Sequence, residues 1–369
     1  MTRPRSIHDV ETPALVVDRD VLERNLRGMA DAAREAGVAL RPHWKTHKCV
    51  QLARRQLALG AAGGTVAKPG EAHAFFDAGF DDLVVATPVV DPRKIDGLLA
   101  ATGEKRLTVL VESEDGARLW SERAARAGRR QRVILEIDVG MGRTGVRPGD
   151  AALALARRLH VDPHLELTGV LTHAGHAYGS APADLERLGR AEGETLAATA
   201  AALEAEGIPC SVVSVGSTPT ARHAARAPGV TEIRPGNYVF HDGIQVALGV
   251  AGEDECALTV LATVVARPAA NRVVLDAGSK TLSSDRGSAG APSTTFGSIQ
   301  GRPEHRLVRL SEEHGILETD GASEYRIGQR VMIVPNHACA TVNLHEEFVV
   351  TRGETVADVW PIVARGRVR

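Results

Sequence analysis

The sequence predicts an α/β chain: an N-terminal (β/α)8 TIM-type barrel over residues 12–250, then a mainly-β C-terminal domain over 251–369 that also takes in residues 1–11. Three observations lead there. Short apolar strand-like runs alternate with helical stretches through the first two thirds of the chain, the pattern of a parallel sheet with crossover helices. About eight such repeats precede residue 250, which favours a closed barrel over an open doubly wound sheet. After Ala251 the long helical stretches stop, and β-type runs follow one another through Gly- and Pro-rich turns.

In order, Pro13–Val17 reads as a first strand, followed by a helical pattern from Val21 to Ala36 whose Arg24, Arg27 and Asp31 lie off the apolar stripe and which Gly37 ends. Further buried strands are expected at Gly64–Ala67, Asp82–Ala86, Leu107–Val111, Val133–Ile137, Leu167–Leu171 and Val212–Val215. Alanine-rich helices are expected between them, notably at Ala151–Leu159 and Ala183–Glu206. The second domain is expected to contain strands at Ala257–Ala266, Arg272–Asp276, Arg330–Val334 and Glu347–Thr351.

Composition narrows the function. Lys and Arg total 44 against 46 Asp and Glu, a net charge of −2, which provides no electrostatic footprint for nucleic acid or an anionic membrane. The four cysteines, Cys49, Cys210, Cys256 and Cys339, are widely spaced, so neither a disulfide framework nor a structural zinc module is indicated. No secretory h-region and no membrane-length apolar run is present, and a cytoplasmic small-molecule enzyme is the expectation.

The chemistry concentrates in loops that follow strands, where barrel enzymes build their sites. Arg41-Pro-His-Trp-Lys-Thr-His-Lys48 sets Lys45 among His43, His47 and Lys48, neighbours suited to depressing an amine pKa so that it can form a Schiff base. Asp138–Val146 is a glycine-dense turn carrying Arg143. Thr172–Tyr178 holds His173, His176 and Tyr178, the imidazoles being candidate general bases. Gly216–Thr220 and Arg234–Tyr238 combine glycines with hydroxyl and amide side chains, which suits a phosphate cradle. In the second domain, His337 and Cys339 sit two apart on what reads as an extended segment, hence on one side. By burial habit such a pair is an ordinary buried histidine and a small apolar cysteine; as metal ligands the two would favour zinc over manganese. Asp276, Lys280, Ser283, Ser284, Asp285 and Arg286 read as a polar interdomain loop and are left outside the site.

Taken together, these segments resemble the fold-type III pyridoxal phosphate enzymes, in the branch of D-threonine aldolase, D-serine dehydratase and D-threo-3-hydroxyaspartate dehydratase. The resemblance runs through Thr12-Pro-Ala14, the Lys45 segment, Gly140–Val146, Thr172–Tyr178, Val212–Ala221, Arg234–Asp242, Leu275–Lys280 and Pro335–Leu344. It implies an alanine-racemase-like barrel carrying pyridoxal 5'-phosphate, a homodimer, and a small D-3-hydroxy-amino acid as substrate. It assigns Lys45 to the cofactor aldehyde, Arg143 to the vicinity of its ring, Tyr178 to the border of the site, and Ser217, Thr218, Gly236 and Asn237 to its phosphate. It makes His337 and Cys339 ligands of a divalent metal, zinc or manganese, with magnesium a further candidate.

Within that family the residues point two ways. The His337–Cys339 pair and the Gly216–Thr220 loop resemble the dehydratases, since the best-known aldolases carry aspartate where Cys339 stands. The tail, Thr341–Glu346, Asp358–Trp360 and Ala364–Gly366, resembles the aldolases and sets the order of expectation: a D-threonine aldolase type first, a D-serine or D-threo-3-hydroxyaspartate dehydratase second. An amino-acid racemase, which needs an acid–base group opposite Lys45 such as one of Tyr178, Tyr238 or Tyr325, comes third. A non-enzymatic cofactor carrier fits less well, because in this fold it is usually a shorter chain without the second domain.

Overall fold

The computed structural model describes residues 5–288, 291–292, 294–319 and 325–369. Its elements in chain order are β1 Ala14–Asp18, α1 Arg19–Glu35, β2 Ala39–Leu40, α2 Val50–Ala58, β3 Gly64–Val66, α3 Pro69–Asp77, β4 Asp82–Val85, α4 Pro92–Thr102 and β5 Arg106–Val111. They continue with α5 Glu114–Arg126, β6 Gln131–Glu136, α6 Asp150–Val161, β7 Leu165–Leu171, α7 Leu185–Ala205, β8 Val212–Val215, α8 Ala221–Ala224, β9 Glu232–Ile233 and α9 Gly243–Ala247. The second domain holds β10 Leu258–Ala269, β11 Arg272–Leu275, α10 Ser279–Leu282, β12 Gly287–Ser288, β13 Ala291–Pro292, β14 Gly297–Ile299 and β15 Arg302–Leu310. Last come β16 Gly315–Glu318, β17 Arg330–Pro335, α11 Ala338–Val342, β18 Glu347–Arg352 and β19 Thr355–Pro361.

Eight parallel strands form one sheet in the order β2-β9-β8-β7-β6-β5-β4-β3. Its two edges meet beyond β2, where Thr65 N donates to Pro42 O (2.9 Å) and Trp44 N to Thr65 O (2.7 Å), closing the curl into a barrel. Strands β4 to β8 are almost continuously buried, as strands covered by helices on one face and barrel core on the other must be. The helices start on local signals: Asp18 accepts from Asp20 N and Val21 N at the head of α1, and Pro69 and Pro92 open α3 and α4.

One expected barrel strand lies elsewhere. β1 pairs antiparallel with β10 and parallel with β18, so it belongs to the second sheet, and the two-residue β2 takes its place in the barrel. An apolar run shows that a strand is buried but carries no mark of its pairing partner.

The second sheet has the order β11-β16-β15-β14-β17-β10-β1-β18-β19, and an added β10–β11 pairing closes the strands from β10 to β17 into an antiparallel barrel. The chain then returns to the first barrel, where Ala364 N donates to Lys48 O and Gly70 N to Arg369 O. Buried Lys48 bridges Glu71 Oε1 (3.1 Å) and Asn343 Oδ1 (2.7 Å), tying the domains together behind the Lys45 segment. No helix among the described residues is long and apolar enough to cross a membrane.

Candidate active site

A cavity of about 550 Å³ opens at the C-terminal ends of the barrel strands. Seven of the eight post-strand loops line it, those after β2, β3, β4, β6, β7, β8 and β9, and His337 and Cys339 complete it from the second domain.

Lys45 stands in the turn after β2, and the residue before it fixes where it points. Trp44 is fully buried against Phe75 and Phe80, with ring centroids 4.7 and 4.8 Å away. Gly64 lies so close that a Cβ there would stand 2.5 Å from the Trp44 ring, so the wall accepts the indole only because that strand starts with glycine. Lys45 is half-buried. Burial pulls its pKa below the ordinary lysine value; Cys339 and Glu71 oppose this, and Arg143 and Arg234 add to it. The sequence neighbours expected to depress it act differently. His43 and His47 are kept neutral by burial, His47 down to about 3, and Lys48 turns away to Glu71.

The two imidazoles after β7 separate. His173 lines the cavity, its Nδ1 3.4 Å from Gly216 O, and burial, with Lys45 and Arg143 beside it, lowers its pKa to about 3. It is therefore a neutral imidazole of low basicity. His176 does not line the cavity. It lies on a 3-10 turn against the Asp138–Gly142 loop, near enough that a Cβ on Gly140 would stand 3.8 Å from His176 Cε1. Tyr178, the one tyrosine lining the cavity among the described residues, hydrogen-bonds Thr218, and burial raises its phenol pKa. Tyr238 instead accepts from Gln56 Nε2 (2.9 Å), and Tyr325 contacts His305 Nδ1 (2.7 Å).

Arg143 reaches the cavity from a loop pinned by Asp138 Oδ1, which accepts from Gly140 N (3.0 Å) and Gly142 N (3.1 Å). Ser217, Thr218, Gly236 and Asn237 line one end of the cavity. The backbone there comes close to the lysine segment: a Cβ on Gly236 would meet Thr46 Oγ1 at 2.8 Å and His43 O at 3.0 Å. The Asn237 side chain donates to Asp242 Oδ2 (2.6 Å), and its Oδ1 is a buried acceptor without a partner among the described residues. The backbone N–H of Asn237 and the second N–H of its amide remain to serve an anion. Glycine backbone, two hydroxyls and a nearby depressed lysine fit pyridoxal phosphate.

His337 and Cys339 converge, though not on an extended segment. His337 is the N-cap of α11 and Cys339 lies in its first turn. Asp285 Oδ2 holds His337 Nδ1 at 2.6 Å, leaving Nε2 as the nitrogen available to a ligand, in the carboxylate–histidine arrangement common at metal sites. Burial would lower the His337 pKa, but Asp285 and Cys339 outweigh it and hold the imidazole up to about 11. Burial raises the Cys339 thiol pKa, and His337 and Lys45 more than reverse this, drawing it below the ordinary thiol value. Among the described residues no three His, Cys, Asp or Glu side chains gather as a closed metal cage. Two soft donors with a carboxylate behind one of them fit an open divalent site that leaves positions for substrate. Asp285 comes from the loop expected to lie outside the site, so that expectation is corrected.

Sequence reasoning also passed over Glu136, Arg234 and Glu192. Arg234 lines the cavity floor and donates to Ser214 Oγ and Thr172 O (both 2.5 Å). Glu136 lines the wall beneath Thr144, and burial raises its pKa. Glu192, on α7, accepts from Ala174 N (3.2 Å) and Gly216 N (2.9 Å), joining the loops after β7 and β8.

Comparison with known proteins agrees over the whole chain. The profile of the alanine racemase N-terminal domain matches residues 17–242, and that of the putative serine dehydratase domain matches residues 257–351. The chain is 41% identical over 350 residues to D-threo-3-hydroxyaspartate dehydratase of Delftia sp. (strain HT23), covering 90% of this chain and 92% of that one. The crystal structure of D-threonine aldolase from Filomicrobium marinum superposes with a TM-score of 0.93 at 34% identity, covering all of both chains. A cysteine-to-alanine mutant of D-threo-3-hydroxyaspartate dehydratase, solved in the metal-free form, superposes with a TM-score of 0.91 at 37% identity, over 97% of this chain and 99% of that one.

Proposed function

Since the chain belongs to the alanine-racemase-like family of lyases that includes D-threo-3-hydroxyaspartate dehydratase and D-threonine aldolase, we propose that it is a pyridoxal phosphate- and divalent-metal-dependent lyase of D-3-hydroxy-amino acids, working as a homodimer, and that it removes the 3-hydroxyl by elimination. One observation supports elimination over carbon–carbon cleavage: Cys339 Sγ lies 3.3 Å from Thr46 Oγ1, which sets the metal-binding pair beside Lys45.

Pyridoxal phosphate joined to Lys45 would supply an electron sink for the bond broken at Cα. A divalent metal on His337 and Cys339 would supply a Lewis acid for the 3-hydroxyl. Lys45, with its depressed pKa, is suited to take the Cα proton near neutral pH. A metal held by His337 and Cys339 would stand on the Lys45 side of the cavity, where it would assist departure of the hydroxyl. His173, held neutral, orients without carrying charge. Arg143, which makes no hydrogen bond to another described residue, is available to an anionic group of the cofactor or substrate.

The tail residues that favoured aldol cleavage do not line the cavity. They form the end of α11, part of β19 and the segment docked on Lys48, so their likeness to aldolases reports on the fold and not on substrate contacts. Aldol cleavage remains the second reading, supported by the whole-chain likeness to a D-threonine aldolase. It leaves the Cα proton in place and needs a base at the 3-hydroxyl. His173 faces the cavity but is too weakly basic to suit that role, and His176 lies outside the cavity.

Product analysis tests the choice. With D-threonine, elimination gives 2-oxobutanoate and ammonia, whereas glycine and acetaldehyde would overturn it in favour of aldol cleavage. D-serine and D-threo-3-hydroxyaspartate, assayed in parallel with zinc and with manganese, define the substrate side chain.

A further inference from the structure

Lys48 is a buried lysine in a backbone conformation that a side chain opposes. Its φ is +52°, in the left-handed region that glycine enters freely and other residues enter at a cost. The turn that carries Lys45 requires it, since Lys48 N donates back to Trp44 O (2.8 Å) and closes the segment on itself. Glycine would satisfy the backbone there, so what Lys48 adds lies in its side chain.

That side chain does not line the cavity but joins the elements around it. Nζ is 3.1 Å from Glu71 Oε1 and donates to Asn343 Oδ1 (2.7 Å), with the Lys48 and Glu71 side chains 7% and 3% exposed. Glu71 turns its other oxygen to the loop after β3, accepting from Ala67 N (2.7 Å) and Lys68 N (3.3 Å), and Ala67 lines the cavity. Asn343 is the C-cap of α11, and its Oδ1 also accepts from Gly366 N (3.0 Å). Lys48 O accepts from Ala364 N (3.2 Å). The loops after β2 and β3, the end of α11 and the last residues of the chain therefore meet at Lys48.

Helix α11 carries this contact to the metal-binding pair. His337 is its N-cap and Cys339 lies in its first turn, so about 9 Å of helical rise separates the pair's end from Asn343. Two contacts tie the helix to the Lys45 turn. Thr46, next to Lys45, places Oγ1 3.3 Å from Cys339 Sγ near the start of α11, and Lys48 Nζ meets Asn343 at its end. A single contact leaves a short helix free to swing about it, whereas two at opposite ends set both position and direction. The Thr46 contact joins a hydroxyl to sulfur, a weak partner; the Lys48 contact is charge-assisted and the stronger of the two.

We propose that Lys48 and Asn343 are positioning residues that register the metal-binding pair against Lys45, their contact holding α11 where the Cα–H bond and the 3-hydroxyl of one substrate are within reach together. This role rests on the reading above, in which Lys45 takes the Cα proton and the pair holds the metal. It adds the contact that sets the geometry between them.

Two substrates separate registration from general support of the fold. D-Alanine has a Cα proton but no 3-hydroxyl, so exchange of that proton in D2O, followed by proton NMR, reports on Lys45 and the cofactor alone. D-Threonine turnover needs the pair as well. In the holoenzyme with zinc, Asn343→Ala should lower kcat on D-threonine about 10–100-fold, the scale of a misplacement of about 1 Å, while D-alanine exchange and the affinities for pyridoxal phosphate and zinc stay within about twofold of the parent. Asn343→Asp keeps the acceptor and should return kcat to within about threefold of the parent. Lys48→Met removes Nζ and should reproduce the Asn343→Ala pattern. In the protein free of cofactor and metal, amide hydrogen exchange over residues 337–343 should quicken in Asn343→Ala and stay unchanged over β5.

Equal losses on the two substrates overturn the proposal, because the contact then supports the Lys45 turn itself and not its registration with the pair. An unchanged kcat on D-threonine, or unchanged amide exchange over α11, overturns it as well. If Lys48→Met melts early, Asn343→Ala decides the matter, since it leaves the Lys48–Glu71 pair in place. A parent protein that exchanges no Cα proton of D-alanine refutes Lys45 as the base, and the elimination reading then fails before the registration does.

Discussion

The two halves of the cavity are built on different plans. On the barrel side most groups are held by another: Trp44 locks the lysine turn, Glu192 joins two loops, and Arg234 is committed to Ser214 and Thr172. On the second-domain side, His337 and Asp285 keep side-chain exposures of 35% and 44%; His337 and Cys339 share the start of the short helix α11, and Asp285 meets His337 from the loop before β12. The contrast indicates a division of labour, in which the barrel fixes the cofactor and the second domain chooses which bond breaks. If so, damage to the two halves should be separable in the cofactor's own absorbance.

The largest expected effect is on the barrel side. Lys45→Ala removes the amine for the cofactor aldehyde and the proposed Cα base, and turnover should fall on the order of 10⁴-fold. The visible absorbance of the loaded protein should vanish with it. Retained colour would assign the cofactor to another amine and end the division.

On the other side, Cys339→Ala and His337→Ala should lower turnover about 10³-fold, the loss of several kcal/mol of charge stabilisation at the hydroxyl. Both should keep the cofactor spectrum and lose bound metal by elemental analysis. A bleached spectrum in either variant would show that the halves are one unit. Asp285→Asn sharpens the comparison further. It leaves both ligands but withdraws the carboxylate behind His337, and should weaken metal affinity about 10–100-fold in a chelator competition. The cofactor spectrum should again be unchanged.

The sequence was informative to different degrees on the two sides for a physical reason. The barrel strands, the Lys45 turn and the glycine loops follow local rules of apolar runs, punctuation and strand-end position, all readable along one chain. Ser217, Thr218 and Gly236 could be assigned because hydroxyls and glycines cluster within a few residues. Asp285 could not, since it lies 52 positions from His337 and meets it only because β17 and the loop before β12 are brought together. Strand β15, Arg302–Leu310, is interrupted by charged residues at Arg302, Glu304, Arg306 and Arg309 and shows no apolar run, and β1 shows a run but not its partner. Glu192 was hidden by its setting in a helix whose other residues are ordinary.

The smallest effect concerns how the barrel side keeps its shape. His47 is buried behind Lys45, its Nδ1 accepting from Cys49 N (3.1 Å) and its Nε2 3.2 Å from Gln56 Oε1, and burial lowers its pKa to about 3. In the unfolded chain it titrates near the ordinary value of about 6.5, so below that pH the unfolded state takes up a proton that the folded state refuses. Stability from this group is therefore complete above about pH 6.5 and declines as the pH falls toward 3. Between pH 7.5 and 5.5 the loss should be about 1.4 kcal/mol for this one histidine. His47→Gln removes the titration, so its urea-unfolding free energy should change by that much less than the parent's over the same interval. An equal acid loss in the parent and in His47→Gln would place the pH sensitivity outside the lysine turn and weaken the case that the barrel side is rigid because its polar groups are buried neutral.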